Sequence, residues 1–213
     1  MIIQKMVVGA VMTNCFIVSD EQTKDALVID PGAGAEQIAG YLHSNELQLR
    51  AILLTHGHFD HILAADRLRA DFRAKVYCLD AEKELAEDDN LNAGRMFRFC
   101  QTVTPDETFR DGEVLSFGAL CCRVIATPGH TKGGACFYFE QEGCLFSGDT
   151  LFFESVGRTD LPTGNAAELV RSIKERLFVL PGETKVYPGH GVPTTIGYEI
   201  DNNPYINEEG YLY

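Results

Sequence analysis

Basic residues are scarce in this chain: 18 Lys and Arg stand against 31 Asp and Glu, a formal net charge of −13. A nucleic-acid or anionic-lipid surface needs clustered cations, so the balance speaks against both as partners. No apolar run approaches the roughly 20 residues that a helix needs to cross a bilayer. The first ten residues lack a basic region followed by a sustained apolar one, the mark of a secretory signal. These absences predict a cytoplasmic protein that acts on a small molecule. The seven cysteines (Cys15, Cys78, Cys100, Cys121, Cys122, Cys136 and Cys144) are odd in number and never spaced as CxxC. Several lie in apolar runs such as Val76-Tyr77-Cys78-Leu79, so they read as reduced, buried thiols. There is no Pro/Ser-rich linker and no short internal repeat. At 213 residues and 45% hydrophobic, the chain can bury one substantial core. It reads as a single domain over 1–213, with 198–213 a short acidic, aromatic tail, forming a monomer or a small homo-oligomer.

The pattern along the chain is strand-rich with interspersed helices. Strands are predicted over Ile2–Val8, Asn14–Ser19 and Ala26–Asp30, the last stopped by Pro31-Gly32. The run Ala51–Thr55 is short and wholly apolar until its end, as in a strand covered on both faces. Further strands are expected over Lys75–Leu79, Cys121–Ala126, Ala135–Glu140, Cys144–Ser147 and Lys185–Tyr187. Helical spacing covers Ala35–Asn45, Ile62–Phe72, Ala81–Glu87 and Asn165–Phe178, where Asn165 caps and Glu168 follows three residues on. Residues 88–98 read as a loop or irregular helix. Asp111-Gly112 is a hairpin signal. This order suits layered α/β architecture with helices outside a two-sheet core.

Histidine is as concentrated as lysine is sparse. Of six histidines, only His43 lies outside a set of motifs. Thr55-His56-Gly57-His58-Phe59-Asp60-His61 follows a strand and carries four potential ligands. His130 stands in Thr127-Pro128-Gly129-His130-Thr131, Asp149 in Ser147-Gly148-Asp149-Thr150, and His190 in Tyr187-Pro188-Gly189-His190-Gly191. In extended backbone, residues two apart point the same way, so His56 and His58 can reach one ion. Asp60 and His61 begin the next helix and turn towards a second. The adjoining glycines permit tight turns and close approach. The reading is a two-ion site: His56, His58 and His130 for one ion, Asp60, His61 and His190 for the other, with Asp149 bridging because a carboxylate has two oxygens. Imidazole with carboxylate suits zinc first, with iron or manganese as alternatives. Such a site lowers the pKa of water to roughly 7 and generates a bridging hydroxide. Burying so many imidazoles and carboxylates uncompensated costs several kcal/mol, which leaves packing a poor explanation.

The motifs THGHFDH, TPGHT, SGDT and PGHG resemble, in kind and order, those of the metallo-β-lactamase superfamily. The resemblance implies an αββα sandwich: two mixed β-sheets, helices on the outer faces, metals at one edge. It implies the same seven ligands. Asp30-Pro31-Gly32 resembles another recurrent element near the site, and reads equally as a strand terminator. The lactamases proper usually lack the bridging aspartate, so Asp149 points away from antibiotic hydrolysis. The set is similar to glyoxalase II, the hydroxyacylglutathione hydrolases, which implies thioester hydrolysis with Asp60 orienting or deprotonating the attacking water. Gly157-Arg158-Thr159-Asp160 resembles a loop of the short glyoxalase II-like proteins and of persulfide dioxygenases. Arg158 there faces substrate or pairs with Asp160. The long glyoxalase II enzymes carry a basic C-terminal helical domain for glutathione, whereas here a short acidic tail follows His190. The alternatives are a persulfide dioxygenase with one ferrous ion on His56, His130 and Asp149, or a phosphodiesterase or lactonase of the same superfamily.

Overall fold

The computed structural model describes residues 1–207. The first sheet contains β1 (Ile2–Val8), β2 (Thr13–Ser19), β3 (Asp25–Ile29), β4 (Gln48–Leu53), β5 (Lys75–Leu79) and β6 (Glu107–Phe109), bonded in that order. Its first two pairings are antiparallel and its last three parallel. The second sheet begins with β7 (Val114–Phe117), β8 (Leu120–Ala126), β9 (Ala135–Phe139) and β10 (Cys144–Gly148). The chain then forms a small ribbon of β11 (Leu151–Phe152) and β12 (Ser155–Val156) before returning with β13 (Lys185–Pro188) and β14 (Thr194–Thr195). The second sheet runs β14-β13-β10-β9-β8-β7, with only β10 and β13 parallel.

Strand alternation sorts the apolar residues into three layers. Phe16, Val18, Leu27, Ile29 and Leu53 face across to Phe137, Phe139 and Phe146, forming the core between the sheets. Phe16 meets Phe146 edge-on with ring centroids 5.1 Å apart, a favoured aromatic geometry. The intervening residues Ile17, Val28 and Ile52 face outward. They pack against Ile38 and Leu42 of α1 (Ala35–Ser44). After α2 (Phe59–Ile62), α3 (Ala65–Phe72) adds Leu68 to that layer. Two one-turn helices follow, α4 (Lys83–Ala86) and α5 (Gly94–Phe97). On the far side, Leu145 and Val186 pack against Leu169 of α6 (Ala166–Ser172) and Ile173 and Leu177 of the widened turn after it. This is the expected αββα sandwich with two mixed sheets. Burial on both faces explains why β2, β3 and β4 read as continuous apolar runs.

Two local expectations change. Asp111-Gly112 is not a hairpin: β6 belongs to the first sheet and β7 to the second. The turn carries the chain between sheets and is tied down there. Asp111 accepts the Ala126 amide at 2.9 Å and the Arg176 guanidinium at 2.8 Å. The helix predicted over Ile62–Phe72 breaks at Leu63-Ala64, dividing α2, which carries Asp60 and His61, from α3. The start of the tail is helical, α7 (Ile196–Asn202) followed by α8 (Pro204–Asn207). Tyr198 stacks on Phe153 with centroids 5.2 Å apart. Tyr211 and Tyr213 lie outside the described residues. The Asn165 cap forms as expected, its side chain accepting the Glu168 amide. All seven cysteines are free, and five are buried. No helix among the described residues is long and apolar enough to cross a membrane.

Candidate metal centre

Four loops bring the predicted residues to one edge of the sandwich, beyond the carboxyl ends of their strands. His56, His58, Asp60 and His61 follow β4, His130 follows β8, Asp149 follows β10 and His190 follows β13. In α/β folds this is where loops on rigid strands build sites. Backbone at the edge is shaped for the convergence. Gly148 has φ +49, a left-handed conformation that lets the chain turn sharply into Asp149. A Cβ on Gly189 would collide with Asp149 Oδ1 and His61 Cε1.

Ligand atoms of the predicted residues converge in two trios, each within 4.8 Å of one another: His56, His58, His130 and Asp60, His61, His190; Asp30, His56 and His61 form a third group at the same spacing. In the first, His58 Nδ1 lies 2.9 Å from His130 Nε2. In the second, His190 Nε2 lies 3.2 Å and His61 Nε2 3.5 Å from Asp60 Oδ2. Asp149 stands between them. Its Oδ2 is 3.6 Å from His130 Nε2 and 3.5 Å from His190 Nε2, while Oδ1 is 3.5 Å from His61 Nε2. Atoms coordinated at about 2.0–2.2 Å round one ion stand about 3–3.5 Å from each other, the spacing seen here. His56 Nε2, His61 Nε2 and Asp149 Oδ1 are buried without a hydrogen-bond partner among the described residues. Buried polar atoms are otherwise nearly always satisfied. The donor set and its unpaired atoms therefore fit divalent cations.

Neighbouring groups fix the rings. His130 Nδ1 donates to the Arg158 carbonyl at 2.7 Å, which leaves Nε2 free to ligate. Thr13 Oγ1 donates to Asp60 Oδ2 at 2.9 Å. Asp30, buried at the end of β3 with φ +52, accepts the Thr55 amide at 2.8 Å and stands 3.0 Å from His61 Nδ1. The Asp-Pro-Gly signal marked this position; its contact with His61 required the fold. Glu82 left no signal at all. It lies in a short turn, is fully buried, and accepts the amides of Gly57 and Gly133 at 2.9 and 2.8 Å and the Thr131 hydroxyl at 3.0 Å.

Charge divides the two trios. Burial, then the surrounding imidazoles, pushes His56 well below its ordinary value. Burial and the neighbouring His130 do the same to His58. Neutral imidazoles are ligands ready to bind. At the second trio burial acts in the same direction, but Asp60, Asp149 and Asp30 overcome it and push His61 up to about 10. That end of the site is built to hold positive charge.

Arg158 forms a two-pronged pair with Asp160, both contacts 2.7 Å, on the rim of a cavity of about 350 Å³ that opens onto His58, Asp149 and His190. A larger hollow of about 490 Å³ lies beyond Arg158, between the 155–160 loop, Leu169 and Tyr205, and includes none of the seven predicted ligands.

The sequence profile of the Metallo-beta-lactamase superfamily matches residues 8–190. The probable metallo-hydrolase YqgX of Bacillus subtilis is 38% identical over 96% of this chain and 97% of its own. Hydroxyacylglutathione hydrolase GloC of Haemophilus influenzae is 33% identical over 95% and 96%. Among solved structures, the B3 metallo-beta-lactamase BLEG-1 superposes with a TM-score of 0.92 at 38% identity, covering 97% of this chain and 100% of that one. TTHA1623, solved in a di-iron-bound form, gives 0.86 at 35% identity, with 95% and 99% covered. ETHE1 from Myxococcus xanthus gives 0.79 at 31% identity, with 98% and 86% covered.

Proposed function

The chain belongs to the metallo-β-lactamase superfamily, and from that premise we propose that this metal-dependent hydrolase cleaves thioesters at a two-ion centre. The observation that carries the reading is Asp149, whose two oxygens lie 3.5–3.6 Å from ligand atoms of both trios. In this reading His56, His58 and His130 hold one ion, Asp60, His61 and His190 the other, and Asp149 is shared. Two divalent ions there would supply water acidified to a pKa of roughly 7 and positive charge for a developing oxyanion. Asp60, steadied by the Thr13 hydroxyl, would orient or deprotonate that water. Water oxygen bonds to the acyl carbon, the carbon–sulfur bond breaks, and the sulfur leaves as thiolate. A thiol of ordinary pKa, about 8.5, needs no strong general acid to depart. The likeness to GloC supports thioesters, and the likeness to the di-iron form of TTHA1623 supports two ions, with iron beside zinc and manganese as the resident metal.

A thioester panel with elemental analysis tests this. Turnover should appear in metal-loaded protein, vanish on chelation and return on reloading. Full metal content with no hydrolysis of any thioester would reject it. The likeness to BLEG-1 places a β-lactam in the same panel, and we expect it to survive intact. A second reading rests on the likeness to ETHE1: one ferrous ion on His56, His130 and Asp149, oxidising a persulfide with dioxygen. One iron per chain with oxygen uptake would favour it over hydrolysis.

A further inference from the structure

The cavity over the metal centre has a chemical bias. Apart from the predicted ligands, its wall among the described residues is apolar except at one position: Val11, Phe59, Phe97, Phe152 and Leu161 line it, and Arg158 adds the one further charge there. Phe59 anchors an aromatic stack. Its ring lies 5.2 Å from that of Phe97 and 5.1 Å from that of Phe99, near-parallel to both. Phe59 is buried and begins the helix that carries Asp60 and His61. Phe97 is 43% exposed and Val11 45% exposed. Large apolar side chains left half open on the wall of a catalytic cavity stand ready to lose water to an apolar ligand.

Charge argues the same way. A glutathione thioester brings two carboxylates and an ammonium. Arg158, the one cation on this wall among the described residues, already gives its Nε and Nη2 edge to Asp160, at 2.7 Å each. A substrate carboxylate would have to displace that partner or take the remaining Nη1 edge of a cation whose charge is already matched, and would do so on a chain of net charge −13.

Building on the thioester reading, we infer that the preferred substrate is an uncharged thioester with an apolar or aromatic acyl group seated against Phe97 and Phe59, rather than a glutathione conjugate. The wall selects by excluding water from the acyl group while the thiol half carries no charge to be matched.

The metal-loaded enzyme is assayed with S-benzoyl-N-acetylcysteamine and S-D-lactoylglutathione. Binding of two thioethers that cannot be hydrolysed, S-benzyl-N-acetylcysteamine and S-benzylglutathione, is measured by calorimetry. The expected result is at least tenfold higher kcat/KM for the uncharged thioester and at least tenfold tighter binding of the uncharged thioether. Phe97→Ala should cut kcat/KM for the benzoyl substrate about tenfold, through KM, the scale of one buried aromatic contact. Phe97→Leu should restore most of it. Equal or better use of lactoylglutathione, or tighter binding of S-benzylglutathione, would overturn the inference and leave thioester hydrolysis standing. The expected binding preference with no thioester cleaved would overturn the hydrolytic reading and leave the selectivity standing.

Discussion

Glu82 accepts the backbone amide of Gly57 at 2.9 Å, so a buried carboxylate holds the turn between His56 and His58. Its other oxygen accepts from Thr131 and Gly133, just past His130. One side chain thus fixes the distance between the two loops of the first trio. Burial, opposed by these three donors, still raises its carboxyl from 4.5 to about 7. The folded protein therefore binds this proton more tightly than the unfolded chain. That contribution to stability is complete below pH 4.5 and is lost as pH rises through about 7, a span worth on the order of 3 kcal/mol. Glu82→Gln has no proton to lose. Between pH 5 and pH 8, metal-depleted wild type should lose about 2–3 kcal/mol more stability than the variant in urea unfolding. Parallel pH dependence in the two proteins would sink this assignment.

Asp149→Asn should separate the two trios electrically. The amide keeps the shape, but it removes the charge shared by His130, His61 and His190. Elemental analysis is expected to show fewer than two ions per chain, with thioester turnover down by roughly a hundredfold or more. Retention of both ions at wild-type affinity would contradict the bridging role.

Gly189→Ala tests close packing beneath the site. The added methyl would meet Asp149 Oδ1 and His61 Cε1 at once, and backbone and ligands cannot both stay in place. Metal affinity should fall tenfold or more while circular dichroism keeps its native form, because the three apolar layers lie away from this contact. An unchanged metal isotherm would show that the loop yields freely.

Asn165→Ala removes the acceptor of the Glu168 amide at 3.1 Å. The cost should be about 1 kcal/mol, read as a lower denaturant midpoint with unchanged metal content, since the variant keeps the Asn165 backbone amide that donates to the Gly129 carbonyl beside His130 at 2.7 Å.

Much of this protein is legible along its chain. β1 and β5 span the predicted residues, because alternating or continuous apolar patterns translate directly into burial. Local signals fail where a turn's meaning depends on which sheet receives the next strand. Asp111-Gly112 looks like a hairpin and is instead the passage between sheets. Glu82 fails differently: a glutamate in a short charged helix looks solvated, and only the loops closing over it reveal three donors.

The amino-acid sequence alone determined the residue types, the strand-then-loop placement of seven metal-ligand candidates and the layered α/β order, since side-chain chemistry and periodicity are local. Tertiary structure decided which nitrogen faces which oxygen, that Asp149 stands between two trios, that Asp30 and Glu82 support them, and that an apolar wall overlooks the centre. Those are distances between residues far apart in the chain, and only the packing of one sheet on the other sets them.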